Sequence, residues 1–343
     1  MKTKSKAIKL AIQNIKKAIN SRWIKNSLKY ILFKIKKYIY DVHNFGRKFA
    51  WYDFLQLIDF ALPKDIWNRI NKNRLSCAIG VLEKKYLKLI NHYKTKEFIG
   101  WENDKKIRVL WWQGIENAPK LIKKCVKSIE EYNCGYEVIL LDKDNYKKYV
   151  ELPDFIMKKV KKKKITLTHL SDIIRMGLLK KYWGIWVDAT VFINSNIFKS
   201  FNDINLNSVS VDIKWDLIRR WEVKWAPWLI WWKSNRLFNF CYDFFIEYWK
   251  DYNYLIDYYL IDFVIFIAYK SFKDCEKDID NISNKNHQIF TLCESFNDIY
   301  DEKKYNELMQ IPFSKLSRKS KNKEVDENWN KTIYWKFVQE TKG

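Results

Sequence analysis

One stretch restricts the fold of this chain more than any other, the run from Thr166 to Thr190. It reads as an amphipathic helix, a tight turn at Gly184 and a short buried strand that ends on an acid. Leu170, Ile174 and Leu178 recur at helical spacing and form a buried stripe. His169, Asp172 and Arg175 share a second, polar face of the same helix. Thr166 or Thr168 supplies the oxygen that caps its start. Ile185-Trp186-Val187 is too short for a helix, so it predicts a strand, and Asp188 stands where that strand ends. Ligands of open α/β sheets bind beyond the carboxyl ends of the strands. An acid delivered there, beside an Asp/Arg pair from the preceding helix, suits a site for a charged ligand and a divalent cation.

The flanking sequence predicts the layers that such a stretch needs. Ile107 to Trp112 reads as a strand, Gln113-Gly114 as a turn, and Pro119 opens a helix through Leu121, Ile122, Cys125, Val126 and Ile129. Tyr136 to Asp142 is a second strand ending on an acid, so the region forms a βαβ unit and implies a parallel sheet. Val209, Val211 and Ile213 alternate with polar residues as a half-buried strand does, and Trp228 to Trp232 predicts a buried one. Leu237 to Trp249 predicts a core-facing helix, and residues 254–270 another that carries Asp257 and Asp262. Residues 44–100 read as largely helical, with a start at Pro63, and carry no recognisable chemistry. After Ile311 to Lys319 a polar, weakly structured tail is expected.

The N-terminus differs from all of this. Residues 1–40 hold twelve Lys or Arg and no Asp or Glu. Ile8, Ile12, Ile15 and Ile19 fall on one helical face, and Ile24, Leu28, Ile31, Ile35 and Ile39 on another. A basic helix with an apolar stripe suits the interface of an anionic membrane. A helix docked on the protein itself fits the same pattern. Lys residues interrupt every apolar run, and no stretch reaches the ~20 residues a membrane crossing needs. The expected location is therefore cytoplasmic, at the inner face of the cell membrane. The six cysteines show neither a CxxC pair nor zinc-ligand spacing, as expected of reduced thiols. The formal charge of +24 allows nucleic acid, membrane or phosphate-bearing ligands. No zinc-finger spacing, RNP-like aromatic motif or recognition-helix pattern favours nucleic acid.

The motifs Ser171-Asp172-x-x-Arg175, Leu178-Leu179, Tyr182, Gly184, Trp186 and Asp188-Ala189-Thr190 resemble the core of the capsular polysaccharide synthesis proteins. So do Trp111-Trp112-Gln113-Gly114, Glu116-Asn117-Ala118-Pro119 and Gly135-Tyr136-Glu137-Val138 upstream, and more loosely Asp257 to Asp262 downstream. These are bacterial relatives of the DXD-sugar-binding glycosyltransferases of family 32. The resemblance implies an α/β fold of GT-A type, a Rossmann-like mixed sheet flanked by helices, here with an N-terminal helical extension. Divided on that basis, the chain has a basic amphipathic segment over 1–43, a helical prefix over 44–104, the transferase domain over 105–320 and a tail over 321–343.

The resemblance also implies a reaction. A sugar would pass from a nucleotide-sugar donor, a UDP-sugar foremost, to a lipid-linked or oligosaccharide acceptor of a growing surface polysaccharide, with anomeric configuration retained. Donor binding would fall to Trp112, Gln113, Gly114, Ser171, Asp172, Arg175, Asp188 and Thr190. Trp112 would stack on the base, and Arg175 would reach sugar or phosphate oxygens with its planar fork. Asp188 would be catalytic and would ligate Mn2+ or Mg2+, since hard cations take oxygen ligands and neutralise a leaving diphosphate. The usual second carboxylate of the motif is here Thr190. Asp262 would be a second catalytic acid, orienting the acceptor or the reacting face of the sugar. His169 reads as a satisfied structural histidine. Lys315 and Lys319 would either close over the diphosphate or stand as plain surface cations, the second reading being favoured. Trp183 stands where relatives carry Gly. Two other readings remain open: a non-catalytic basic protein binding membrane or nucleic acid, and an inactive relative with the same fold.

Overall fold

The computed structural model describes residues 24–98, 104–182, 184–199, 206–208, 225–232, 236–282 and 288–339. Contacts divide the chain into two compact units. The first comprises residues 1–88, 215–221 and 254–263, and the second comprises 89–214, 222–253 and 264–343.

The first unit is helical. Helix α1 runs over Ile24–Phe45, α2 over Arg47–Phe54 and α3 over Lys64–Lys85. Pro63 precedes α3 as expected, because its fixed φ suits a helix start and its missing N–H costs nothing there. Phe45, Phe49, Ala50, Leu75, Ala78 and Leu82 are buried. A chain of charges ties α1 to α2 and α3. Lys37 Nζ lies 2.6 Å from Asp41 and 3.1 Å from Asp53, and Arg74 Nη1 lies 3.4 Å from Asp53 and 2.5 Å from Asp257. The expected helix over 254–270 begins only at Leu260. Asp257 sits in the preceding turn, where its carboxylate accepts from the Tyr259 N–H at 2.8 Å.

The second unit is built on a mixed sheet flanked by helices. After α4 (Leu87–Thr95), strand β1 (Lys106–Leu110) leads through α5 (Lys120–Glu131) to β2 (Glu137–Leu141), which lies parallel to β1. This is the βαβ unit predicted from the sequence. The apolar stripe of α5, from Leu121 to Ile129, is buried in one core with Ile107, Val109, Val187 and Val191, each such side chain contributing about 1.5–3 kcal/mol. Helix α6 (Asp154–Lys161) precedes α7 (Leu167–Tyr182), and β3 (Ile185–Val187) follows. Thr166 caps α7 by accepting from the His169 N–H at 3.2 Å. Gly184 makes the turn with φ +76°, and a β-carbon there would stand 2.5 Å from Asp104 Oδ1 and 2.6 Å from the Lys106 carbonyl. Only glycine fits that conformation and that clearance.

Strand β3 pairs parallel to β1, on the edge opposite β2. Then come β4 (Val191–Ile193), β5 (Leu206–Ser208) and β6 (Leu229–Trp232). Strand β6 runs antiparallel between β3 and β5, so the sheet order is β2-β1-β3-β6-β5. The chain leaves β1 toward one neighbour and returns on the other side, which makes β1/β3 the switch point of the sheet. Helices α8 (Arg236–Asp251), α9 (Leu260–Ser271), α10 (Lys273–Asp280), α11 (Thr291–Glu294) and α12 (Glu302–Leu308) follow. Strand β7 (Phe313–Lys315) returns to pair antiparallel with β4. The tail is not weakly structured: Ile333–Gln339 forms α13, and Ile333 and Phe337 are buried in the same core as Ile107 and Val187. Their apolar spacing outweighs the polar residues between them. Trp183, the strand expected near Val211 and the Ile8 to Ile19 stripe lie outside the described residues.

Candidate active site

Parallel pairing of β1 and β3 puts both carboxyl ends at one sheet edge. Trp111 to Gly114 emerge from β1 there, and Asp188 emerges from β3. Asp188 is fixed by its own backbone: its N–H donates to the Trp228 carbonyl at 2.8 Å, and its carbonyl accepts from Val191 at 2.9 Å. That turn throws the chain into β4. Because β4 pairs with β7, with Val191 opposite Lys315, the C-terminal segment is carried back to the same point.

The result is a cluster of two acids and two bases. Arg175 Nη2 donates to Asp188 Oδ1 at 2.9 Å, and its Nη1 lies 3.3 Å from Asp172 Oδ1. The Trp186 indole N–H donates to the same Asp188 oxygen at 2.8 Å. Lys315 Nζ donates to Asp188 Oδ2 at 2.8 Å and to Thr190 Oγ1 at 2.7 Å. Each cation is backed by an indole, Arg175 4.9 Å from the Trp186 ring centre and Lys315 5.2 Å from that of Trp228. Arg175 Nε is buried without a partner. Asp188 keeps 26% of its side-chain surface exposed, so the cluster is open on that side. Burial pulls the Asp188 carboxyl upward, but Lys315 and Arg175, with the hydrogen bonds from Lys315 and Trp186, hold it below the ordinary value. Burial also draws the Lys315 ammonium below its ordinary value, and Arg175 adds to that against the pull of Asp188.

The structure thus brings Asp172, Arg175, Asp188 and Thr190 together. Ser171 is half-buried on α7 beside Asp172 in sequence. Trp112 is half-buried with its ring 5.3 Å from that of Tyr146, Gln113 is exposed, and Gly114 closes the turn with φ +80° and its N–H on the Trp111 carbonyl. Asp262 is buried at the start of α9 and counts with the other unit. His169 is buried against Phe245 and Trp249 with Nδ1 3.4 Å from Asp172, but its Nε2 is buried without a partner, so it is not the fully satisfied histidine expected.

Lys315 lies in the cluster and is not the plain surface cation favoured from the sequence. Trp186 belongs to the motif that carries the family resemblance, whereas Trp228 reads from the sequence only as core. Arg318, three residues beyond β7, adds a guanidinium 5.7 Å from the Trp111 ring centre. A separate groove of about 770 Å³ runs beside α5, lined by Lys120, Lys123, Lys124 and Lys127, and none of the cluster residues lines it.

The donor set decides how a metal would fare. Around Asp188 the hard donors are one carboxylate and the Thr190 hydroxyl, and an ammonium already bridges them. Both carboxylate oxygens face cations. No group of three or more His, Cys, Asp or Glu that could hold a metal occurs among the described residues. This arrangement does not fit the Mn2+ or Mg2+ expected at Asp188, since a divalent ion would face two positive side chains with one carboxylate to compensate it.

The charged, partly open cluster thus stands at the switch point of a mixed α/β sheet, the place where open sheets of this class receive ligands. The family model for capsular polysaccharide synthesis proteins matches residues 60–337, and the chain belongs to that family. Neither curated proteins nor solved structures give a match to it.

Proposed function

We propose that the chain is a glycosyltransferase of capsular or other surface polysaccharide synthesis, with a GT-A-like arrangement of the sheet. The observation that carries this reading is the grip of Arg175 and Lys315 on a half-open Asp188 at the β1/β3 edge. An activated sugar bound there would set its diphosphate against cations already in place and its hydroxyls against Asp172 and Asp188. Preorganised charge of this kind lowers the barrier as negative charge builds on the leaving phosphate. Trp112 and Gln113 would receive the base, with Gly114 letting the backbone approach. Asp262 is retained only as a candidate for acceptor orientation.

Membrane attachment belongs to the same reading. On α1, Ile31, Leu32, Ile35 and Ile39 are 41–63% exposed, amid a segment rich in Lys and free of acids up to Tyr40. Such a face suits an anionic bilayer, each Lys or Arg near the surface contributing about 1 kcal/mol. No helix among the described residues is long and apolar enough to cross a membrane. A lipid-linked acceptor would then meet the enzyme at the surface.

The test is a thermal-shift screen of UDP-, GDP-, ADP- and dTDP-sugars, followed by transfer to a lipid-linked acceptor. At least one donor should raise the melting temperature and be turned over, and Asp188→Asn should cut turnover by about a hundredfold or more while the protein stays folded. No shift and no transfer with any donor would remove the proposal.

A further inference from the structure

We infer that the cation serving the donor diphosphate is a protein ammonium: Lys315, aided by Arg318, occupies the place between Asp188 and Thr190, and transfer needs no divalent metal. The inference rests on the transferase reading and deepens it. Three observations converge. Lys315 Nζ bridges the Asp188 carboxylate and the Thr190 hydroxyl, the two side chains of the motif that would otherwise flank an ion. Its approach is built into the backbone, because β7 pairs with β4 and the Leu316 N–H donates to the Thr190 carbonyl at 2.8 Å. The same C-terminal segment carries Arg318 onto Trp111, beyond the end of β1, so its positive charges reach both strand ends of the switch point.

The chemistry closes without a metal. The bond between the anomeric carbon and the β-phosphate oxygen breaks, and its electron pair stays on that oxygen. The acceptor hydroxyl oxygen bonds to the anomeric carbon, and its proton is released to water. The products are the glycoside and a nucleoside diphosphate with one more negative charge, which Lys315 and Arg318 meet. Lys315 exchanges its Asp188 contact for a phosphate oxygen, and Asp188 holds the ammonium in place until the donor arrives. Charge-assisted hydrogen bonds of this kind to phosphate are the strong ones.

Isothermal titration calorimetry on the full chain tests this, with UDP, GDP, ADP and dTDP as probes, first in EDTA and then with excess Mn2+. At least one probe should bind in EDTA, and Mn2+ should change its Kd by less than about threefold. Lys315→Ala should weaken that binding about tenfold or more, as loss of a charged hydrogen bond does. Arg318→Ala, at an exposed position, should weaken it about threefold to tenfold without touching the fold. Asp188→Asn supplies a sign that survives any folding failure of the Lys315 variant. Removing an acid from beside two cations leaves diphosphate binding equal or tighter, whereas removing a metal ligand weakens it. Binding that requires Mn2+ and is lost in Asp188→Asn overturns the lysine assignment while the transferase reading stands. Absence of binding by every probe in both conditions overturns the two together.

Discussion

Two clusters of buried charge can be set side by side, and they differ in one respect that matters. In the helical unit Lys37, Asp41, Asp53, Arg74 and Asp257 form a chain whose side chains are all at most 13% exposed. In the sheet unit Asp172, Arg175, Asp188 and Lys315 are linked as tightly, yet Asp188 is 26% exposed. The first cluster is closed on itself and fastens helices. The second leaves one carboxylate side chain reaching an opening. Perturbed ionisation marks both, and in opposite directions. Burial, opposed by Lys37, pushes Asp41 up to about 6, whereas Asp188 is held down by its two cations. A shifted pKa alone therefore does not mark a site; the open side does.

Removing the central arginine of each cluster separates them most strongly. Arg175→Ala and Arg74→Ala each remove one cation from between two acids, and each should cost about 3–5 kcal/mol in urea unfolding. Only Arg175→Ala should abolish nucleoside-diphosphate binding by the fraction that remains folded. Equal loss of binding in both would erase the distinction.

Next in size is the turn that sets Asp188 at the strand end. Gly184→Ala forces a left-handed φ and a clash with Asp104 and the Lys106 carbonyl, a cost of about 2–4 kcal/mol. A variant as stable as the wild type would show that the turn does not hold β3 as described.

Smaller, and a direct check on the closed cluster, is the pH dependence. The folded pKa of Asp41 lies above its ordinary value, so its contribution is fully present below that value and is lost as pH rises through about 6. Asp41→Asn should flatten the fall in stability over that interval, on the order of 1–3 kcal/mol. Asp188 has the reverse sign, its contribution being present above the ordinary carboxylate value and lost as pH falls. Asp188→Asn should flatten the acid limb instead. Melting temperatures across pH 3–8, a range set about the ordinary carboxylate and histidine values, read both.

The smallest effect concerns the surface of α1. Ile39→Asp places an acid at a side chain 63% exposed, so the fold should be unchanged while sedimentation with anionic vesicles falls about threefold or more. Unchanged sedimentation would remove this face from any membrane contact.

How far the sequence foretold these features follows from the range of the interactions. Thr166 to Asp188 was legible because helix period, cap, glycine and strand end all act between near neighbours. The βαβ unit was legible for the same reason. The pairing of Lys315 with Asp188 was not, since the two residues are 127 positions apart and meet through strands of three residues each. Such strands are too short to show alternation. Asp257 was misplaced on a helix because its apolar surroundings continue the helical pattern, while its own carboxylate binds the Tyr259 N–H and ends the turn before α9. Helix α13 was hidden by the polar run that precedes it.

The account's central claim is that the open cluster, and not the closed one, receives the activated sugar. Hydrogen–deuterium exchange with and without the nucleoside diphosphate that binds tests it most directly. Slowed exchange at residues 111–114, 186–191 and 314–318, with residues 37–53 unchanged, is the predicted result. Protection confined to 37–53, or none at 186–191 under saturating ligand, would contradict it.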